Sequence, residues 1–252
     1  FGDDVFKIQG IKILADGSLG ARTAWLTKPY ADQPDQQGFP NIGKEELTEL
    51  VKLADATDLQ LAIHGIGDAT IDMIFDVFQE TEIRDRGHRI EHLSVLRPDQ
   101  IKRMKDLGLY ASVQPHFVIS DWWAMERLGM KRASFIHPFK SIYFSGIPMA
   151  FGTDSPVEKL NPWETIYAAV TRGKFEGIPI AAATPDEVLD TKEAIYCYTE
   201  GGSTIMHDPY IGSLEIGKLA DFIVVDENPF EANACSLKDI KVLKTYIGGK
   251  AS

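Results

Sequence analysis

The 252-residue sequence is poor in cysteine: it has two, Cys197 and Cys235, and no Cys-x-x-Cys pair. One bridge at most can form, which excludes a disulfide scaffold and fits a reducing compartment. Long apolar runs are also missing. Charges and glycines break every candidate within about ten positions, short of the 18 or so residues of a membrane span, so no membrane partner is expected. Positive charge is in deficit, with 26 basic against 37 acidic side chains, a net charge of −11 and a pI near 5.0. That balance argues against a nucleic-acid partner. The first residues, Phe1-Gly-Asp-Asp-Val, hold neither a start methionine nor a basic-then-apolar leader. The expectation is a cytoplasmic chain that begins inside a longer gene product.

What is present is ordinary for a folded domain, 44% hydrophobic and 25% charged residues, with length enough for a large core. Short apolar, β-branched runs alternate with amphipathic stretches, the pattern of repeated β/α units. Strands are predicted over Lys7–Leu14, Leu59–His64, Arg89–Leu93, Tyr110–Gln114 and Met149–Gly152. Helices are predicted over Glu45–Thr57, Ala69–Thr81, Asp99–Leu107 behind Pro98, and Pro162–Arg172. A Gly/Pro/Gln-rich insertion around Tyr30–Gly43 is long enough to cover an active-site mouth. After Thr184 the pattern changes to a capped helix over Pro185–Thr199, a turn-rich stretch over Gly201–Gly217, and short strands at Ala220–Val225 and Val242–Tyr246. Two domains follow: residues 1–200 as a partial barrel and 201–252 as a segment returning to a small β domain.

Several literal motifs dissolve in context. His88-Arg-Ile-Glu-His92 would be an inverted zinc-protease string on a helix, but here it lies on a short strand. Four residues of strand span about 13 Å, too far for two imidazoles on one zinc. His88 is expected to be structural and His92 to be available as a ligand. Gly65-Ile-Gly67 lacks the third glycine of a dinucleotide loop, Thr70 standing there; it reads as a tight turn, with Asp68 capping the next helix. The strand ends carry the chemistry. His64 and His92 are 28 residues apart, and His92 and Asp154 are 62 apart, twice 31, against roughly 30 for one β/α repeat. A (β/α)8 barrel sets its functional groups at such strand ends. Lys12, inside Ile11-Lys-Ile-Leu, is the odd residue: an edge strand would expose it harmlessly, whereas a central one would demand a partner or a chemical modification.

The segments Gly10-Ile-Lys-Ile-Leu-Ala-Asp-Gly-Ser-Leu-Gly-Ala-Arg-Thr-Ala, Ala62-Ile-His-Gly-Ile-Gly-Asp, Arg89-Ile-Glu-His-Leu, Ser112-Val-Gln-Pro and Phe151-Gly-Thr-Asp-Ser-Pro-Val strongly resemble the amidohydrolase superfamily. Within it they are most similar to the branch of N-substituted formamide deformylases. The stretch Gly212–Asp226 with Thr245-Tyr-Ile-Gly-Gly-Lys resembles that family's return into a β-sandwich beside the barrel. The resemblance covers essentially the whole chain and implies an α/β fold: the later strands of a TIM-type barrel with pieces of an appended β-sandwich. It also implies that Lys12 is the strand-four lysine, carboxylated to bridge two metals, and that His64 and His92 ligate the second metal. Asp154 becomes the strand-eight carboxylate that binds metal and shuttles the proton of the attacking water. The metal is expected to be zinc.

One departure is large. The family's first strand carries a His-x-His pair, and none of the six histidines here, 64, 88, 92, 116, 137 and 207, lies two from another. All five predicted strands match the later part of the pattern. The expectation is therefore an incomplete chain of a metal-dependent hydrolase acting on a small-molecule, amide-type carbon–nitrogen bond. Alone it should be inactive, bind zinc weakly or not at all, and associate with itself or with the missing N-terminal part. Two alternatives stand beside it: a barrel fragment kept as a binding or assembly module, and a deaminase or carbon–oxygen hydrolase of the same superfamily. Arg22, Gln114, His116 and Arg132, with the Trp122-Trp123 pair, are the candidate substrate contacts on the mouth side.

Overall fold

The computed structural model describes residues 6–252. The described residues divide into two compact units, one running up to residue 112 and including 123–148, the other formed by residues 113–122 with 149–252. Among the described residues eight strands fall into a five-stranded parallel sheet, in the order β1-β2-β3-β4-β5, and a three-stranded antiparallel sheet.

In the first unit β1 (Gly10–Leu14) pairs with β2 (Gln60–Gly65) and β2 with β3 (Arg89–His92), all parallel, and β4 (Tyr110–Val113) follows β3. The register sets Ile13, Ile63, Ile90 and Ala111 in one transverse row, every member buried. Burying a side chain of isoleucine size contributes about 1.5–3 kcal/mol, so this row alone fixes which face carries the helices. Helix α1 (Lys44–Thr57) turns Leu47, Val51 and Ala54 inward, and α2 (Asp68–Thr81) buries Ile71, Ile74, Phe75 and Phe78 completely. Helix α3 (Pro98–Asp106) begins with Pro98 at its first position, where a missing N–H is harmless. The opposite face of the sheet carries most of its polar side chains. Its rows are Lys12, Ala62, Arg89 and Tyr110, then Leu14, His64, Glu91 and Ser112.

The remaining helices of the first unit are short, α5 (Ala124–Leu128), α6 (Met130–Ala133) and α7 (Phe139–Ser145), and none was legible in the sequence. The second unit contains α4 (Phe117–Ser120), β5 (Met149–Phe151), α8 (Pro162–Thr171), α9 (Pro179–Ala183), α10 (Thr191–Tyr198) and α11 (Glu200–Ile205). It also holds the antiparallel sheet of β6 (Phe222–Val225), β7 (Val242–Ile247) and β8 (Lys250–Ala251). The helix predicted from Pro185 starts at Thr191 instead. Asp190 and Glu193 form a reciprocal capping box there, which satisfies the first free amides at that point and no earlier. Gly201–Gly217, expected to be turn-rich, opens within α11. Gly201 sits there because a Cβ would come within 2.2 Å of the Met149 carbonyl oxygen. No described helix is long and apolar enough to cross a membrane.

Candidate metal centre at the strand ends

His64, next to last in β2, and His92, last in β3, bring their rings edge to face with centroids 4.4 Å apart. The register sets His92 beside Gly65, one position beyond the row of His64. At that point the backbone turns left-handed, with φ of 75° at His92 and 52° at Leu93. A non-glycine residue in this region costs about 1–2 kcal/mol, and such strain persists only where the surroundings enforce it. Here it coincides with the meeting of two imidazoles.

The orientation of His64 is set from β1. Its Nε2 donates to the carbonyl oxygen of Gly17 at 2.9 Å and lies 3.2 Å from Asp16 Oδ1. A carbonyl only accepts, so in the neutral ring the proton is on Nε2 and the lone pair on Nδ1. Asp16 is a buried carboxylate that accepts from the backbone amides of Trp25, Ile66 and Gly67 and from the Thr70 hydroxyl, at 2.8–3.1 Å. It therefore ties the turn after β1, the Gly65–Gly67 turn and the start of α2 to one point. Gly67 is obligatory there, because a Cβ would lie 1.9 Å from the Trp25 carbonyl oxygen. The role of Asp16 escaped the sequence reading, although its signal was the one that singled out Asp154: an apolar strand delivering a carboxylate to a glycine turn.

Asp68 does not cap α2, contrary to expectation. The N-cap is Gly67, and the Asp68 carboxylate accepts from the Thr27 amide at 2.9 Å, the Thr27 hydroxyl at 2.5 Å and Arg97 at 3.1 Å. His88 does serve the framework: its Nδ1 accepts from the Leu61 amide at 3.0 Å and its ring packs on Phe78.

Lys12 stands on β1, the first strand in the sheet order, and its side chain is exposed, in the same row as Ala62 and Arg89. Arg89 is paired with Glu91 at 2.7 Å and bonded to Gln60. In the second unit Asp154 follows β5 in a left-handed conformation, φ 52°, exposed, with its carbonyl accepting from Val157 at 2.9 Å. It caps no helix, since α8 is capped by Asn161.

The other candidates are distributed as follows. Arg22 forks onto Asp32, with Nε 3.2 Å from Oδ1 and Nη2 2.7 Å from Oδ2; this pairing lowers the carboxyl pKa and raises that of the guanidinium. Arg132 donates to the carbonyls of Leu128, Lys28 and Pro29 at 2.7–2.8 Å, and burial pulls its pKa down. Gln114 is buried just beyond β4. His116 is bonded through Nδ1 to Glu158 at 2.5 Å, and Glu158 also accepts from Ser120. Nearby Asp121 is pushed up to about 7, first by burial and then by the charge of Glu158. Of the tryptophan pair, Trp122 is exposed and Trp123 lies under the Arg127 guanidinium, 5.2 Å from its ring centre.

A parallel α/β sheet that gathers imidazoles at its C-terminal strand ends has the form of a metal-dependent hydrolase. The sequence model of the amidohydrolase family matches residues 1–252, and the chain belongs to that family. The structure of an uncharacterized metal-dependent hydrolase from Pyrococcus horikoshii OT3 superposes with a TM-score of 0.88 at 41% identity, covering 93% of this chain and 48% of that one. Bacillus subtilis YtcJ is 33% identical over 247 residues, 97% of this chain and 47% of its own length. The N-substituted formamide deformylase of Arthrobacter pascens is 28% identical over 216 residues, 82% and 39% respectively. The chain thus spans about half the length, or less, of these relatives.

Proposed function

We propose that this chain supplies the later strands of a metal-dependent hydrolase that cleaves a non-peptide, amide-type carbon–nitrogen bond. The observation that carries the reading is the meeting of His64 and His92 at the strand ends, with the His64 tautomer fixed by Gly17. His64 through Nδ1, together with His92, would hold the metal, with Lys12 and Asp154 as further donors. Two imidazoles are suitable zinc ligands, but they are half of a site: among the described residues no group of three or more His, Cys, Asp or Glu side chains could hold a metal ion. When bound, zinc supplies Lewis acidity and a water ionised near neutral pH.

The protein's own groups do the rest. An exposed ammonium at Lys12 is no ligand, and carboxylation would convert it into an anionic, two-oxygen donor. The Asp154 carboxylate takes the proton of the attacking water and delivers it to the departing nitrogen. Gln114, His116 and Arg22 meet the substrate, and Arg132 acts on it through the Lys28–Pro29 turn that it holds.

The test is turnover by the polypeptide that joins these strands to the earlier part of the barrel, with product analysis. Formate and amine from an N-substituted formamide, lost in His64→Ala and Asp154→Asn, would support the reading. Ammonia from an aminopurine nucleoside instead would make it a deaminase, and no metal-dependent hydrolysis at all would leave the binding-module alternative.

A further inference from the structure

We propose that Arg22 and Arg127 form a binding site for the carboxylate of a small organic acid, closed in this structure by Asp32 acting as an internal ligand. Both guanidinium groups converge on that one carboxylate: Arg22 as a two-toothed fork at 3.2 and 2.7 Å, Arg127 through Nη1 onto the same Oδ2. The local balance is two cations to one anion in a chain of net charge −11, so an incoming anion is favoured here against the field of the rest of the molecule. The Nε of Arg127 is buried and has no hydrogen-bond acceptor, which leaves a donor beyond those that Asp32 satisfies. All three side chains keep about a fifth of their surface in solvent, 24% for Arg22, 23% for Asp32 and 18% for Arg127, so a ligand can reach them.

Contacts other than Asp32 fix the backbone of the Arg22 turn and the side chain of Arg127. Arg22 sits at φ 58°, in a turn closed by Thr23 onto Ser18 at 3.0 Å and by the Arg22 amide onto Leu19 at 3.1 Å. Arg127 lies over the Trp123 ring, which itself packs closely on Gly20: a Cβ there would be 3.2 Å from the indole, tighter than an ordinary contact. The strap that carries Asp32 has its own fastenings. Tyr30 donates its hydroxyl proton to the Ala24 carbonyl at 2.8 Å, the Ala31 amide donates to the Arg127 backbone carbonyl at 2.8 Å, and Arg132 holds the carbonyls of Lys28 and Pro29. Asp32 can therefore swing away while the strap stays in place. A planar carboxylate presents the same two oxygens to the Arg22 fork that Asp32 does.

The turn that carries Arg22 also carries Gly17, whose carbonyl orients His64. Resting on the hydrolase reading, this makes an acidic substrate, such as an amide whose acyl or amine part bears a carboxylate, the class that the site selects. The anion site itself is testable without catalysis. The probes are N-acetylglycine and its neutral counterpart N-acetylglycinamide, and the readout is the side-chain Nε–H resonances of Arg22 and Arg127 in the 15N-labelled chain. The acid should shift both resonances and the amide neither. Asp32→Asn should tighten the acid by about tenfold, since a competing internal anion is removed, and Arg22→Ala should abolish the response. A folded Asp32→Asn protein that responds equally to acid and amide would overturn the proposal, as would an acid response that survives Arg22→Ala. Should Asp32→Asn fail to fold, the unsubstituted chain decides: no acid-specific shift at saturating probe ends the proposal. A hydrolase that turns out to prefer neutral amides would leave the anion site standing and remove only its role in substrate choice.

Discussion

The Nε2 of His64 donates to the Gly17 carbonyl oxygen across 2.9 Å, so a backbone group on the turn after β1 decides which nitrogen of a β2 imidazole carries the proton. In the neutral ring, 15N spectra should show a protonated Nε2 and an unprotonated Nδ1. Titration with Zn2+ or Cd2+ should then move Nδ1. A neutral ring protonated on Nδ1 would remove His64 from the ligand set as described.

Asp16→Ala should destabilise the first unit by about 3 kcal/mol or more. Its buried carboxylate accepts three backbone amides and one hydroxyl, and bonds to a charged group contribute roughly 1.5–3 kcal/mol each. Urea denaturation monitored by circular dichroism measures the loss. Asp16→Asn should lose less, and a change within experimental error in both would show that the carboxylate is not the anchor of the two turns.

In the polypeptide with the complete barrel, Asp154→Asn should lower kcat by about 10²–10⁴ while the fold persists and the two histidines keep their metal, because an amide cannot accept the water's proton. His64→Ala and His92→Ala should instead lose metal and activity together. Metal analysis beside steady-state kinetics separates the two cases.

The raised pKa of Asp121, about 7, sets a pH dependence of opposite sign to that of an ion-paired carboxylate. An unfolded aspartate titrates near 3.9, so between about pH 4 and 7 the folded state holds a proton that the unfolded state has lost. Stability from this group is full below about pH 4 and falls as pH rises toward 7. The amount is on the order of 2 kcal/mol, less than the full shift implies because the side chain keeps some contact with solvent. Asp121→Asn should flatten that part of the stability profile, and an unchanged slope would assign it to another group.

The exposed edges lead to a prediction of self-association. β1 is the first strand in its sheet order and exposes Leu14, and the second sheet exposes Ile223, Leu243 and Ile247. Sedimentation of the purified chain should show self-association, reduced by Leu243→Lys with Ile247→Lys. A monomer at all concentrations would contradict this.

The parts of the fold legible in the sequence are those where burial follows one period. Ile71, Ile74, Phe75 and Phe78 announce α2, and β2 to β5 fall within a residue or two of their predicted limits. The stretch 117–145 was opaque because its helices, four to seven residues long, are too short to show a period. At the site, His64 and His92 were legible as strand-end residues. Asp16 and Asp32 were not, because their partners lie far along the chain or on separate loops, and only the folded register brings Ile66 and Gly67 to Asp16.

The reach of Asp16 also bears on how the molecule assembles. The amides of Ile66 and Gly67 take their acceptor from a residue 50 and 51 positions earlier, so the turn after β2 cannot close until β1 has docked. Contacts across such separations require loop-closure entropy to be overcome first, which places them after helix α2 and its local packing. Loosening Asp16 should therefore quicken unfolding and leave the refolding rate nearly as it was. Stopped-flow chevrons of Asp16→Asn would show that asymmetry as a shift confined to the unfolding limb.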